Sequence, residues 1–233
     1  MTPESLPASL PLRPIGVFRS PFADKFGTPR QPGLAPAVRG EIHLHPWVGG
    51  PEAVRGLEGF SHIWVLFWFH HARDRKVVVR PPRLGGKEKV GIFASRSPHR
   101  PNPIGLSVLS LEEIRTEKGV VLRVGGVDIV DGSPVLDIKP YLPYADALPG
   151  AQSGWAAAPI PRLPVHFSEE AELFLAPLPE LRESLLQLLS LDPRPNSHHH
   201  RTSPAYVMHH GGVEVWWRLE EGAVWVERLG GAP

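Results

Sequence analysis

Short runs of β-branched and aromatic residues, at 15–20, 41–45, 61–69, 76–80, 89–94, 104–114, 120–124 and 127–130, are cut apart by glycine and proline. No long helical pattern separates them, although 51–57 suits a short helix. Strands that follow one another through turns pair antiparallel, and the spacing predicts a sheet closed into a barrel or folded into a sandwich. A doubly wound parallel sheet would need helices between the strands and is excluded. No Gly-x-Gly pair occurs, and Gly86-Lys87 is followed by Glu88, so neither a dinucleotide fingerprint nor a phosphate-binding P-loop is present. Gly-x-Ser-x-Gly, the elbow of serine hydrolases, is also missing.

The pattern changes after residue 147. LPGAQSGWAAAPIPRLP, over 148–164, is rich in Ala, Gly and Pro and reads as a linker. Ser168 followed by Glu169, Glu170 and Ala171 is a helix start, and leucines at helical spacing over 180–191 end at Asp192-Pro193. Runs at 213–219 and 223–229 flank Glu220-Glu221-Gly222, a hairpin carrying Trp216, Trp217 and Trp225. The expected organisation is a disordered lead-in at 1–12, a β domain at 13–147, a linker at 148–165 and a small α+β C-terminal domain at 166–233.

Composition narrows the chemistry. There is no cysteine, so disulfides, zinc–thiolate sites and thiol nucleophiles are excluded. Residues 1–14 hold prolines and no apolar core, unlike a signal peptide or an anchor. The longest apolar run, 63–69, falls far short of the ~20 residues that cross a bilayer, and a soluble cytoplasmic protein is expected. Net charge is only +1, but it is unevenly spread. Residues 71–105 carry nine Lys or Arg against two acidic residues, while 160–233 carries six against ten. Such a basic stripe attracts polyanions; as a bland alternative it is a pair of solvated loops.

Residues 91–107, GIFASRSPHRPNPIGLS, set two arginines in a proline-stiffened connection between a short apolar run at 91–95 and the run that resumes at 104. Pro98, Pro101 and Pro103 each fix φ, and Ser97, Arg100 and Asn102 before them are pushed towards extended backbone. Arg96, His99, Arg100 and Asn102 are therefore held with little entropy left to lose on gripping a carboxylate or phosphate. A stiff surface turn is the competing reading. His70 and His71 follow the run HIWVLFWF at a strand end, where one of two adjacent side chains points away from the other. Asp128, Asp131 and Asp137 lie near the turn Asp131-Gly132-Ser133-Pro134. His198, His199 and His200, with His209 and His210, form a histidine-rich stretch, but adjacent imidazoles on a loop do not converge on one ion, and no metal is expected.

Taken in order, PRQPG (29–33), AVRGLEGFSHIWVLFWFH (53–70), VRPPRLGG (79–86), FASRSPHRPNPIGLS (93–107), DIVDGSPVLDIKPYLPY (128–144) and DPRP (192–195) resemble the TsaA-like family of tRNA N6-threonylcarbamoyladenosine methyltransferases. The likeness covers nearly the whole chain apart from the first dozen residues and the histidine stretch.

The resemblance implies a mainly β protein with a single-sheet antiparallel β-barrel that binds S-adenosyl-L-methionine outside the Rossmann type and works as a homodimer. It implies methylation of N6 of threonylcarbamoyladenosine at position 37, in the anticodon loop of threonine tRNA. Cofactor contacts are implied at Gln31, Pro32, Gly33, His70, His71, Arg96, Leu106, Asp131, Gly132, Ser133, Pro134 and Val135. Arg80, Arg83, Arg100, Asn102 and Tyr141 are candidates for tRNA or substrate, with Arg100 the natural partner of the threonyl carboxylate. Asp131 or Asp128 is the candidate base for the accepting nitrogen. A non-catalytic cofactor- or RNA-binding module, and a methyltransferase with another acceptor, are the alternatives.

Overall fold

A computed structural model describes residues 9–23, 25–194 and 205–231. Its centre is a closed barrel of β1 (Gly16–Arg19), β2 (Arg39–Leu44), β3 (His62–Trp68), β6 (Ile104–Arg115), β7 (Val121–Gly125) and β8 (Pro134–Pro140). They run in the order β1-β2-β7-β6-β3-β8, every neighbouring pair antiparallel, and β8 pairs back onto β1. Between β3 and β6 an excursion forms the two-residue pair β4 (Val78–Val79) and β5 (Val90–Gly91).

Strand alternation fills the barrel. On β3, Ile63, Val65 and Phe67 point inward and are almost fully buried, joined by Phe18, Ile42, Leu109, Leu122, Val124 and Val135. The outward residues of the same run are apolar as well: Trp64, Leu66 and Trp68 sit opposite Val108, Leu106 and Ile104 of β6. The Phe67 ring reaches Gly105, where a Cβ would come within 2.2 Å of its tip. Only glycine allows that contact.

After β8 the chain makes one helical turn, α1 (Pro143–Asp146), and the C-terminal part then builds its own core. β10 (Tyr206–His210), β11 (Val213–Glu220), β12 (Ala223–Gly231) and β9 (Val165–Phe167) form a sheet in the order β10-β11-β12-β9. α2 (Glu169–Leu175) and α3 (Pro179–Ser190) cover one face of it, burying Leu175, Leu185 and Leu189 against Val215, Trp217, Val224 and Val226. Ser168 caps α2, its hydroxyl accepting from the Ala171 N–H at 3.1 Å. The mainly β class, the barrel, the two helices and the hairpin stand as the sequence reading has them.

Several local expectations differ from the structure. Residues 127–130 form no strand; they are an irregular crossing with Val127 and Ile129 fully buried in the barrel core. Their apolar character comes from capping the core, which periodicity does not distinguish from pairing. Only Val90 and Gly91 pair before the chain tightens into a 3-10 turn over Ile92–Ala94, closed by the Ser95 hydroxyl on the Ile92 carbonyl at 2.9 Å. Residues 51–57, read as one short helix, form 3-10 turns over Gly50–Val54 and Leu57–Gly59. β8 was hidden behind the turn at 131–134, and β9 and β10 carry no strand expectation either.

His210 on β10 is buried, accepts or donates at 2.9 Å with the Ser184 hydroxyl of α3, and lies 5.8 Å from the Phe22 ring of the barrel. Burial pushes it down from the ordinary 6.5 to about 4. The folded chain therefore refuses a proton that the unfolded chain takes up. Its stabilisation is complete above about pH 6.5 and lost as pH falls through 4, a change of about 3 kcal/mol. Urea unfolding at pH 7 and pH 4.5 should show this loss in the wild type and a smaller one in His210→Gln.

Candidate functional site

The antiparallel order decides which loops meet. The C-terminal ends of β1, β7 and β3 share one rim with the N-terminal ends of β2, β6 and β8. The connections crossing that rim are 20–38, 69–103 and 126–133. The first carries Gln31, Pro32 and Gly33. The second carries His70, His71, Arg80, Arg83, Arg96, Arg100 and Asn102, and the third Asp128, Asp131, Gly132 and Ser133. Leu106, Pro134 and Val135 open the adjoining strands. Tyr141 is the exception: its N–H bonds the His62 carbonyl at 3.0 Å and its ring lies 5.9 Å from Trp64, at the opposite rim.

Backbone hydrogen bonds stitch the first and third loops together. Asp131 N–H donates to the Phe22 carbonyl at 2.8 Å, Gly132 N–H to Phe18 at 2.9 Å, and Phe18 N–H to Ser133 at 2.9 Å. The Asp131 carboxylate accepts from the Ser20 N–H at 3.0 Å and faces the Arg19 guanidinium at 3.3 Å. Further along, Gly33 N–H donates to the Gly126 carbonyl at 2.9 Å. Gly126 has φ of +72°, and a Cβ there would lie 3.2 Å from the Gly33 Cα.

Within this frame Arg96 reaches over to donate to the Gln31 side-chain oxygen at 2.5 Å. The buried Ser107 hydroxyl donates to Asp128 Oδ1 at 2.7 Å. Burial pushes the Asp128 carboxyl up to about 7, with the Ser107 bond and the Arg96 charge pulling the other way. Desolvation dominates. Ser133 gives its one hydroxyl proton to the Val130 carbonyl at 2.7 Å, so its contact with His70 Nδ1 at 3.2 Å is satisfied when that nitrogen carries the hydrogen. Burial and the neighbouring His71, whose ring is 3.9 Å away, hold His70 below the usual histidine value and keep it neutral near pH 7. The rim thus combines an arginine fork, a neutral imidazole and a carboxyl that titrates near neutrality, a set suited to holding a charged ligand and moving one proton.

The proline loop divides its arginines. Arg100 is half-buried and donates to the Ser95 carbonyl at 2.9 Å, stapling its own loop, and His99 Nδ1 donates to the Asp74 carbonyl at 3.0 Å. Arg96 is exposed and points across to the first loop. Arg80 is exposed, while Arg83 donates to the Ala158 carbonyl. Nearby, Trp155 Nε1 donates to the Ala94 carbonyl at 2.9 Å, two residues from Arg96. Ser107 and Trp155 carry no site role in the sequence reading. A lone tryptophan in an Ala, Gly and Pro stretch is the signal that a linker is pinned down.

Among the described residues no three His, Asp or Glu side chains gather as a metal site would require. His198, His199 and His200 lie outside the described residues. His209 faces Glu214 at 3.9 Å and His210 is in the C-terminal core.

Comparison with known proteins matches the chain to two family models, the tRNA-methyltransferase O N-terminal domain over residues 17–147 and the TrmO C-terminal domain over 160–231. It is 44% identical over 223 residues to the tRNA (adenine(37)-N6)-methyltransferase of Escherichia coli strain K12, covering 92% of this chain and 95% of that one. A Pseudomonas aeruginosa protein with the provisional name S-adenosylmethionine-dependent methyltransferase RcsF is 46% identical over 213 residues, 87% of each chain. The crystal structure of TrmO from Pseudomonas aeruginosa superposes with a TM-score of 0.80 at 38% identity, covering 96% of this chain and 99% of that chain.

The contact between Gly33 and Gly126 predicts a local lesion. Gly126→Ala should cost about 1–3 kcal/mol, from the left-handed backbone and the crowding against Gly33. Thermal unfolding measures the cost, and faster hydrogen exchange confined to 20–38 and 126–133 locates it.

Proposed function

Because the chain belongs to the tRNA-methyltransferase O family, we propose that it methylates N6 of adenosine 37 in tRNA with S-adenosyl-L-methionine, accepting the threonylcarbamoyl form of that base in threonine tRNA. The observation that carries this reading is the convergence of three loops on one barrel rim, next to a basic excursion. Arg96, Gln31, Asp128 and Ser107 are linked there, with His70 and Ser133 beside them.

The rim fits the cofactor. Gly33 and Gly132 both have positive φ, +73° at each, and nothing lies within 4 Å of where a Cβ would stand. Bare backbone there lets a ligand approach closely, as side chains would not. Leu106, 52% exposed at the start of β6, offers apolar surface beside it. Gln31, Pro32, Gly33, His70, His71, Arg96, Leu106 and the turn from Asp131 to Val135 would hold the cofactor, Arg96 supplying charge for its carboxylate. The cofactor brings the reactive methyl group. What remains for the protein is positioning and the removal of one proton, which explains why the chain needs no nucleophilic triad.

The acceptor stands in a single-stranded loop and can be splayed into the rim. Arg80 and the exposed Arg73, Arg75, Lys76, Lys87 and Lys89 of the excursion suit its phosphate backbone. Arg100, committed to Ser95, shapes the loop that the threonyl carboxylate meets, and Asn102 lies exposed beside it. The enzyme works in the cytoplasm as a homodimer. Support for the dimer comes from the outer face of β3 and β6, where half-buried Trp64, Leu66 and Trp68 meet Val108, exposed Leu106 and Ile104 as three cross-strand apolar pairs that a partner subunit would cover.

Incubation with methyl-labelled S-adenosyl-L-methionine and tRNA from cells with and without the threonylcarbamoyl modification tests the substrate. Label should enter only the modified tRNA; equal labelling of both sinks the substrate assignment. In sedimentation the wild type should run as a dimer and Trp68→Glu as a monomer.

A further inference from the structure

The two carboxylates of the third loop are held very differently. Asp131 accepts from the Ser20 N–H and faces Arg19, two contacts that tie β1 to the loop. It acts as a clamp. Asp128 lies between Val127 and Ile129, both fully buried, and receives the hydroxyl of Ser107, itself 1% exposed. The Asp128 residue as a whole retains some exposed surface, on the loop that crosses the rim.

We propose that Asp128, held by Ser107, takes the N6 proton of the acceptor adenosine during methyl transfer. This rests on the methyltransferase reading above. N6 of threonylcarbamoyladenosine shares its lone pair with the purine and with a carbonyl, so it attacks poorly while it keeps its hydrogen. As N6 bonds to the methyl carbon, the bond from that carbon to the donor's sulfonium sulfur breaks and its electron pair stays on sulfur, leaving a neutral thioether; the N–H bond breaks, its pair stays on nitrogen, and the proton goes to the Asp128 carboxylate, then to water when product departs. A base serves best when its proton affinity lies near the working pH, and burial has raised Asp128 to about 7.

The charged and polar groups around it are few. From the excursion Arg96 attracts the carboxylate; from β6 Ser107 donates to it; from the first loop Gln31 engages Arg96. His70 lies beyond, directed at Ser133 and attracted by Asp131. Ser107 is a positioning residue: its bond favours the charged form, and deleting it must raise the proton affinity of Asp128 further.

Single-turnover methylation of threonylcarbamoyl tRNA, followed from pH 5.5 to 9 with saturating cofactor, tests the assignment, with cofactor affinity measured by calorimetry. The wild-type rate should rise about tenfold per pH unit and level off near 7, and the Asp128 carboxyl carbon should titrate in the same range by NMR without substrate. Asp128→Asn should lose that bend and fall by roughly 10²–10⁴-fold while cofactor affinity stays within about threefold. Ser107→Ala should move the bend to higher pH. Retention of the wild-type bend in Asp128→Asn, or an unmoved bend in Ser107→Ala, overturns the proposal. If Asp128→Asn fails to bind cofactor, the Ser107→Ala profile decides alone. A wild type that methylates no modified tRNA at any pH defeats the substrate reading and this assignment with it, a result distinct from an active enzyme indifferent to Asp128.

Discussion

Closure of the barrel between β1 and β8 is the constraint on which the rest depends. It is made by a short register, Gly16 on Val135 and Val17 on Pro134, extended by the bonds of Ile15 to Val135 and of Phe18 to Ser133. Closing the sheet removes both edges and fixes six strands in strict alternation of direction. That alternation puts the connections 20–38, 69–103 and 126–133 at one end, while 45–61 crosses the other. The same closure lays the end of β1 across 131–133, so the seam that completes the barrel also shapes the floor of the site. Polar groups from three loops gather there because the chain must close there.

The C-terminal part is tied to this rim. Arg162 donates to the Leu34 carbonyl at 2.6 Å, and Gln187 of α3 accepts from the Ala37 N–H at 2.7 Å, both on the loop that carries Gln31 and Gly33. Trp155 holds Ala94 beside Arg96, and Leu188 of α3 sits in the barrel core. Long loops are entropically costly to order. Anchoring the first and second loops from outside the barrel spends that cost during folding and leaves Arg96 and Gln31 already joined. A part that looks like an appendage therefore contributes to the precision of the site.

Much of the architecture was legible in the residues. β3 announces itself as an apolar run of strand length, Ser168 marks the start of α2, and Asp192-Pro193 the end of α3. The prolines of 98–103 identify a stiff loop, and the structure adds the bonds of Arg100 and His99 that complete it. Less legible was 127–136. Val127 and Ile129 are apolar because they cap a core, and β8 follows directly on a turn, so strand and non-strand exchanged places. Hydrophobic pattern reports burial; it does not report which backbone groups pair.

From its sequence alone this chain determined that it would be antiparallel β with a helical C-terminal part, and that stiff, basic loops would join its strands, since periodicity, proline and charge are local properties. Its motifs determined the family. Only the tertiary structure decided which polar groups share an environment. Asp128 and Asp131 stand three residues apart with the same side chain, yet one is withdrawn from water against Ser107 and the other is clamped by Arg19 and Ser20. Arg96 and Arg100 diverge in the same way. Apart from Ser95, which lies in Arg100's own loop, their partners come from strands and loops distant in the chain, and proton affinity depends on those neighbours and on burial, which no stretch of sequence contains.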